Sequence, residues 1–281
     1  MNHFPLVSIV IPSYNSSAFL EETLTSALGT SYPNFEIVVM DDGSTDRTKT
    51  ILESWARRWP EKIKVFHQCN QGPSIARNQG IHQAAGTYIL PLDSDDKISP
   101  DYISQAVEKL ETDPDLKVVY CEAEKFGSRC EYWKLKPFSL QQLALDNMIF
   151  MSAVFRKSDW EKTGGFDPRF CLGWEDWEFW INLLKSGGKV HKLPQIGFYY
   201  RIRKGSRRKS TNKSGKELTI RLLNRKHPEF FNRFLFGPLR NPRGISKIVN
   251  LLHKIFTFGL SNRAKAPRHA YLFHRAKGVD V

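Results

Sequence analysis

Along the first two thirds of the chain, short apolar runs alternate with segments whose apolar residues recur at helical spacing. Residues 6–11 (LVSIVI) are apolar and β-branched and close at Pro12, which suits a strand buried on both faces. Residues 19–28 follow, with Phe19, Leu20, Leu24 and Leu28 on one helical face. The same reading predicts strands over 35–40, 63–67, 88–92 and 116–121. It predicts helices over 45–59, stopped by Pro60, over 74–85, ended by Gly86, and over 101–112. Strands alternating with helices predict an α/β fold, a doubly wound and mainly parallel sheet flanked by helices. Ligands of such sheets sit beyond the carboxyl ends of the strands.

Past residue 125 the pattern becomes irregular. Strands are predicted over 151–155 and 197–202, and a helix over 176–186 that ends at Gly187 and Gly188. Residues 203–216 are polar and basic without apolar periodicity and read as a flexible loop or linker. Over 244–260, Ile245, Ile248, Val249, Leu252, Ile255 and Phe256 share one helical face, with Lys247, His253 and Lys254 elsewhere. That pattern is an amphipathic helix with basic flanks.

Charge sharpens this division. The 281 residues carry a net +13, but residues 1–200 hold 21 Lys and Arg against 26 acids, and residues 201–281 hold 21 against 3. An acidic body with a strongly basic tail suggests a globular domain followed by a segment that meets an anionic surface. Phenylalanines are interleaved with the tail's charges, and no helix-turn-helix or zinc-finger pattern accompanies them, so nucleic acid is not the expected partner. Four scattered cysteines form no C-x-x-C and read as free thiols. No apolar run is long enough to cross a membrane, and the first residues lack a signal-peptide pattern. A cytoplasmic protein is expected, soluble or peripheral on the inner face of the cell membrane.

Four segments carry candidate chemistry. Asp93, Asp95 and Asp96 follow the strand over 88–92, and Asp41, Asp42 and Asp46 follow the strand over 35–40, so both clusters fall on one edge of the sheet. Carboxylates crowded at a strand end repel one another unless a cation lies between them, and Mg²⁺ or Mn²⁺ takes one or two carboxylates plus substrate phosphates. A solvated acidic turn that caps the next helix is the plain alternative. Asp41 or Asp42 could accept hydrogen bonds from a nucleobase or a ribose. Arg77 falls near the first turn of its helix, where a cation opposes the dipole, which suggests a partner for its guanidinium, a nearby carboxylate or a substrate diphosphate; a plain surface arginine is the alternative. Glu175 and Asp176 begin a helix amid Trp174, Trp177 and Trp180. That setting fits N-terminal capping over a tryptophan core, and it also fits a general base beside aromatic walls that stack on a sugar.

Taken in order, these segments resemble the family 2 glycosyltransferases of the GT-A fold. The resemblance rests on Val7–Asn15, the Asp41–Asp46 turn, Gly72–Asn78, Leu92–Asp96, the Glu175-Asp176 pair and Tyr200-Arg201-x-Arg203-x-x-Ser206, and it covers roughly residues 6–206. It implies a catalytic domain over 1–206, with a nucleotide-binding half to about 97 and an acceptor half from about 98, and a basic extension over 207–281. It further implies that Pro12, Tyr14, Asn15, Asp41 and Asp42 hold the nucleotide, with Arg77, Asp93 and Ser94 on the donor. Asp95 or Asp96, with Asp93 beside them, would bind Mn²⁺ or Mg²⁺. Asp176 would be the base with Glu175 next to it, and Arg203 and Arg201 would steady the leaving diphosphate.

The resemblance implies a nucleotide-sugar donor, with a UDP-sugar favoured, a glycan or lipid-linked acceptor, and an inverting transfer in cell-surface polysaccharide or glycolipid synthesis. Arg203 stands where the family commonly has His. The Gln-x-x-Arg-Trp motif of processive synthases is absent, which points to transfer of a single sugar. A GT-A-like nucleotidyltransferase would carry a basic Gly-rich loop near the N-terminus, yet no Lys or Arg precedes Arg47. A non-catalytic binding protein would be expected to lose carboxylates that are intact here. The basic tail is expected to attach to an anionic membrane surface, or else to pack on the catalytic domain or on a second subunit of a homo-oligomer.

Overall fold

The computed structural model describes residues 4–203 and 213–264, with side chains as far as residue 255. The N-terminal half follows the predicted alternation. Strands β1 (Val7–Ser13), β2 (Phe35–Asp41), β3 (Ile63–His67) and β4 (Tyr88–Pro91) are separated by helices α1 (Leu20–Leu28), α2 (Thr48–Arg58) and α3 (Pro73–Gln83). These four strands are parallel, in the order β3-β2-β1-β4, and every residue of β1, β2 and β4 is buried. Apolar β-branched runs suit a sheet covered on both faces.

The C-terminal half extends the same sheet with mixed pairing. Strand β5 (Lys97–Ile98) is followed by α4 (Tyr102–Thr112), β6 (Leu116–Gly127), β7 (Glu131–Trp133), α5 (Leu140–Leu143), β8 (Val154–Arg156), α6 (Lys157–Thr163), α7 (Glu175–Leu184) and β9 (Lys189–Ile202). From β4 the order runs on as β8-β6-β9-β5, with β7 on β6. Strand β8 is antiparallel to both β4 and β6, β9 is parallel to β6, and β5 is antiparallel to β9. Pairing is wholly parallel in the first half, and the second half joins the long parallel β6–β9 pair to short antiparallel ones.

Two strands are much longer than predicted. Strand β6 runs past Cys121 through a half-exposed stretch of alternating polar residues. Strand β9 contains Pro194, which breaks the apolar pattern, and its register against β6 jumps there from Leu193 to Ile196. A bulge is where a strand tolerates proline.

The basic extension is not a free tail as far as it is described. The expected linker falls mostly on residues 204–212, outside the described residues, and helix α8 (Lys213–Lys226) begins at Lys213. Helix α9 (Pro228–Leu235) follows, then α10 (Ser246–Ala264). Ile220, Leu223, Phe230, Phe231, Leu235 and Leu239 join the same buried core as the sheet residues. No helix among the described residues is long and apolar enough to cross a membrane.

Candidate active site

The strand ends bring the predicted residues to one edge. At the end of β1, Pro12 is buried while Tyr14 and Asn15 are exposed. Asn15 takes a left-handed backbone (φ 48°), which asparagine tolerates better than most residues. Its Oδ1 accepts the Thr45 N–H at 2.8 Å, and its own N–H donates to Ser44 Oγ at 2.9 Å, joining the β1 loop to the β2 loop. Gly43 makes that second loop possible: φ is +76°, and a Cβ there would stand 2.9 Å from the Asn70 nitrogen.

Asp41 and Asp42 are buried at the floor of this edge. Asp42 Oδ1 accepts from Gln68 Nε2 (2.7 Å) and the Gln71 N–H (2.8 Å), and its Oδ2 accepts from the Gly72 N–H (2.8 Å). Asp41 accepts from the Ser44 N–H and pairs with His67 Nδ1 at 3.0 Å. A carboxylate offers about four lone-pair sites, so each keeps acceptor capacity for a ligand.

Arg77 projects from α3 and is 1% exposed. Its Nη2 donates to Asp93 Oδ1 at 2.8 Å, so a nearby carboxylate is indeed its partner, while Nε and Nη1 are buried without one. The Phe166 ring lies 5.1 Å from the guanidinium carbon. One turn along α3, Gly80 permits close packing on β1, since a Cβ there would stand 2.6 Å from Val10 Cγ1. That contact fixes the depth from which Arg77 reaches the strand ends.

The acidic triplet divides by burial. The Asp93 side chain is 40% exposed and Asp95's is 19% exposed. Asp96 is closed off, and its Oδ1 accepts the Arg201 N–H at 2.7 Å, which fastens β9 to the loop after β4. Burial, and then the charges of its neighbours Asp95 and Asp93, push the Asp96 carboxyl well above the usual range. Burial and Asp93 also push Asp95 up, against Arg203 and Arg201. Ser94 is nearly buried and shares a 2.6 Å hydrogen bond with Ser16.

Arg203 Nε pairs with Asp95 Oδ2 at 2.8 Å. Arg201 is more enclosed: Nε donates to the Asp95 carbonyl and Nη2 to Glu22, with Phe19 and Phe126 across its faces. Arg201 thus holds the acidic loop in place, and Arg203 is the more open cation.

Among the described residues no three His, Cys, Asp or Glu side chains stand together as a metal site. The donor set still fits a hard divalent cation, because Asp93 and Asp95 keep open carboxylate oxygens and such an ion takes its remaining ligands from phosphate and water. Asp96 is the least open of the three, buried and with Oδ1 taken by the Arg201 N–H.

Asp176 enters from the other half, in the first turn of α7. Its Oδ1 accepts the Trp177 N–H and its Oδ2 accepts Asn147 Nδ2, both at 2.8 Å. Burial and the adjoining Glu175 carboxylate push its carboxyl up to about 7, and Asp93 adds to the push, while the Trp177 N–H and the Arg77 charge oppose it. Asp176 therefore lies within the field of the Arg77–Asp93 pair. Glu175 is buried beside it. Trp174 takes a left-handed backbone just before the helix, and Arg243 from the extension lies 5.2 Å from both the Trp174 and Trp177 rings. Arg243 Nη1 donates to Asp146 at 2.6 Å, beside Asn147.

Helix α7 is also held from beneath. Glu178, fully buried, pairs with His227 Nε2 at 2.7 Å and Lys226 Nζ at 2.9 Å. Lys226 also bonds Asp167, whose carboxyl is raised by burial but carried well below the usual range by hydrogen bonds from Arg169 and Lys226. Asn147, Asp146, Phe166, Arg243 and this buried network were absent from the sequence expectations. Asp146-Asn147 is a polar pair between Leu145 and Met148–Phe150, and that interruption was the one available signal.

Structural relatives share this architecture. TarS of Staphylococcus aureus, residues 1–349 in complex with UDP-GlcNAc, matches over 93% of this chain and 76% of its own, with a TM-score of 0.66 and 22% identity. A mannosyltransferase from Pyrobaculum calidifontis in complex with GDP-Man and Mn²⁺ matches over 94% and 74%, with a TM-score of 0.59 and 21% identity. In sequence, the putative teichuronic acid biosynthesis glycosyltransferase TuaG of Bacillus subtilis is 32% identical over 205 residues, 72% of this chain and 81% of TuaG. Other relatives are far longer: the match covers 23% of the uncharacterized protein y4gI of Sinorhizobium fredii and 28% of a chondroitin synthase of Escherichia coli. A model described as the N-terminal domain of galactosyltransferase matches residues 151–205. The model of glycosyl transferase family 2 matches residues 8–177, from β1 through Asp176, and the chain belongs to that family.

Proposed function

We propose that this glycosyltransferase moves one sugar from a nucleotide-diphosphate sugar, a UDP-sugar by preference, to an acceptor hydroxyl with inversion. The observation that carries the reading is the Arg77–Asp93 pair at the carboxyl edge of the sheet, with Asp176 within reach of its charges. Support for the donor class comes from TarS and the mannosyltransferase, whose structures hold nucleotide sugars. Support for a role in cell-surface polysaccharide or glycolipid synthesis comes from the teichuronic acid enzyme and the chondroitin synthase.

In this reading Tyr14, Asn15 and the Asp41/Asp42 floor receive the base and ribose. Arg203, the open cation, and behind it the charge of the buried Arg77 offset the charge that grows on the departing diphosphate. Mn²⁺ or Mg²⁺, held by Asp95 and Asp93 with the donor's phosphates, would neutralise part of that charge. Asp176 accepts the proton of the acceptor hydroxyl, and Asn147 holds the carboxylate in position. The acceptor oxygen bonds to the anomeric carbon as the bond from that carbon to the diphosphate oxygen breaks, and the nucleoside diphosphate leaves with the electron pair. One in-line displacement inverts the anomeric centre and needs one base, unlike the paired carboxylates of a retaining hydrolase.

A thermal-shift series with UDP-sugars and GDP-sugars, each with and without Mn²⁺, tests the donor assignment. A UDP-sugar is expected to raise Tm in the wild type and to have no effect in Asp93→Ala. An equal shift in both proteins would place donor binding elsewhere.

A further inference from the structure

Helix α10 is docked the wrong way round for an ordinary amphipathic helix. The face it turns to the domain is polar. Ser246 and Asn250 are buried, Asn250 donates to the Leu235 and Pro238 carbonyls, and Arg240 Nε donates to Asn250 Oδ1. The face left in solvent is aliphatic: Ile248 is 64% exposed, Leu251 45%, Leu252 49% and Ile255 59%. Positions 248, 251, 252 and 255 follow the i, i+3, i+4, i+7 spacing of one stripe, and Ile245 extends it. Lys247 and Lys254 flank it, with their ammonium groups 5.5 and 5.7 Å from the half-exposed Phe236 ring.

We propose that α10 docks this domain on an anionic lipid bilayer, with its aliphatic stripe in the interface and its cations on the headgroups. Charge decides between the candidate occupants. Residues 240–281 carry nine Lys and Arg against a single acid, Asp280. Two α10 helices packed face to face would set that positive segment against its own like, whereas an anionic leaflet complements it. The five side chains also expose on the order of a few hundred Å², short of the ~800 Å² that each partner buries in a stable protein interface. A basic helix with a continuous aliphatic face is what partitions into the headgroup boundary.

Docking also sets an orientation. Arg243, at the root of α10, lies against Trp174 and Trp177 and is bonded to Asp146, so the helix is fastened beside Asp176. A lipid-borne acceptor would then reach Asp176 at the bilayer surface; that consequence rests on the glycosyl-transfer reading, and the docking itself does not.

The test is co-sedimentation of the full chain with phosphatidylcholine vesicles, with and without phosphatidylglycerol. Wild type is expected to pellet only with the anionic vesicles, and the double variant Ile248→Glu, Leu252→Glu to bind them at least about tenfold more weakly. Hydrogen exchange on wild type supplies a readout free of any variant: amides of residues 246–255 are expected to slow on anionic vesicles. Wild type that ignores anionic vesicles, a variant that pellets as well as wild type, or unchanged exchange overturns the proposal. So does a wild-type dimer in vesicle-free solution that the double variant converts to monomer, since the stripe would then cover a second copy.

Discussion

Arg77 Nη2 donates to Asp93 Oδ1 at 2.8 Å, from a guanidinium that is almost wholly buried to a carboxylate that is partly open to solvent. A single carboxylate oxygen accounts for one of the three guanidinium nitrogens, and the other two are left without partners inside the protein. Buried donors without acceptors are costly, and closed off from solvent they act on a ligand only through the charge of Arg77 and its hold on Asp93.

Arg77→Lys tests that reading. Lysine keeps the charge but loses the planar fork that spans two acceptors. Turnover is expected to fall about 10²-fold, the size typical of a lost charge-stabilising donor, with Tm nearly unchanged. Steady-state kinetics and a melting curve check it; wild-type turnover in the lysine variant would mean that the guanidinium's hold on Asp93 is not needed at the donor site.

The carboxyl of Asp176, raised to about 7, gives the reaction a pH dependence. A base works only when ionised, so kcat/KM is expected to rise roughly tenfold per pH unit below 7 and to level off above it. The same shift acts on stability with the opposite sense. A carboxyl whose folded pKa lies above its unfolded value supports the fold fully only below the unfolded pKa, and that support is lost as pH rises through 7. Asp176→Asn is therefore expected to raise Tm, and by more at about pH 8 than at about pH 5. A flat rate profile across neutrality would remove Asp176 from the role of base.

The buried Glu178 holds α7 against α8 through His227 and Lys226. His227→Ala leaves that carboxylate without its closest partner, and breaking a buried pair in this way typically costs about 3–5 kcal/mol. Removing the chain from residue 207 onward goes further, because it uncovers the surface on which Ile220, Leu223, Phe230 and Phe231 pack. The truncated chain is expected to be insoluble or to melt far below wild type in a thermal scan. A stable, monomeric truncation would show that the extension is dispensable.

Much of this was legible in the sequence, and for identifiable reasons. The strands β1, β2, β3 and β4 are local apolar runs between clear stops, and the rule that ligands lie at carboxyl ends puts Asp41, Asp93 and their neighbours on one edge from the sequence alone. A partner for Arg77 was suggested by its place against a helix dipole, with a plain surface arginine as the alternative. What lay beyond reach depended on contacts distant in sequence. Asp93 and Asp95 differ from Asp96 only because the backbone of Arg201, 105 residues away, claims the last carboxylate. Asn147 supports Asp176 across 29 residues. The apolar stripe of α10 was visible, but its orientation was set by Asn250, whose hydrogen bonds to the α9 turn leave the aliphatic side outward.

The central claim is that Asp176 takes the acceptor's proton at a donor site built on Arg77 and Asp93. The most direct measurement is turnover of the nucleotide sugar by Asp176→Asn, set beside its donor-induced thermal shift. Asparagine keeps the shape of the side chain and removes the proton acceptor. The account predicts a fall in kcat of at least about 10³-fold with the donor shift preserved. Near-normal kcat, or a loss of donor binding as large as the loss of turnover, would contradict it.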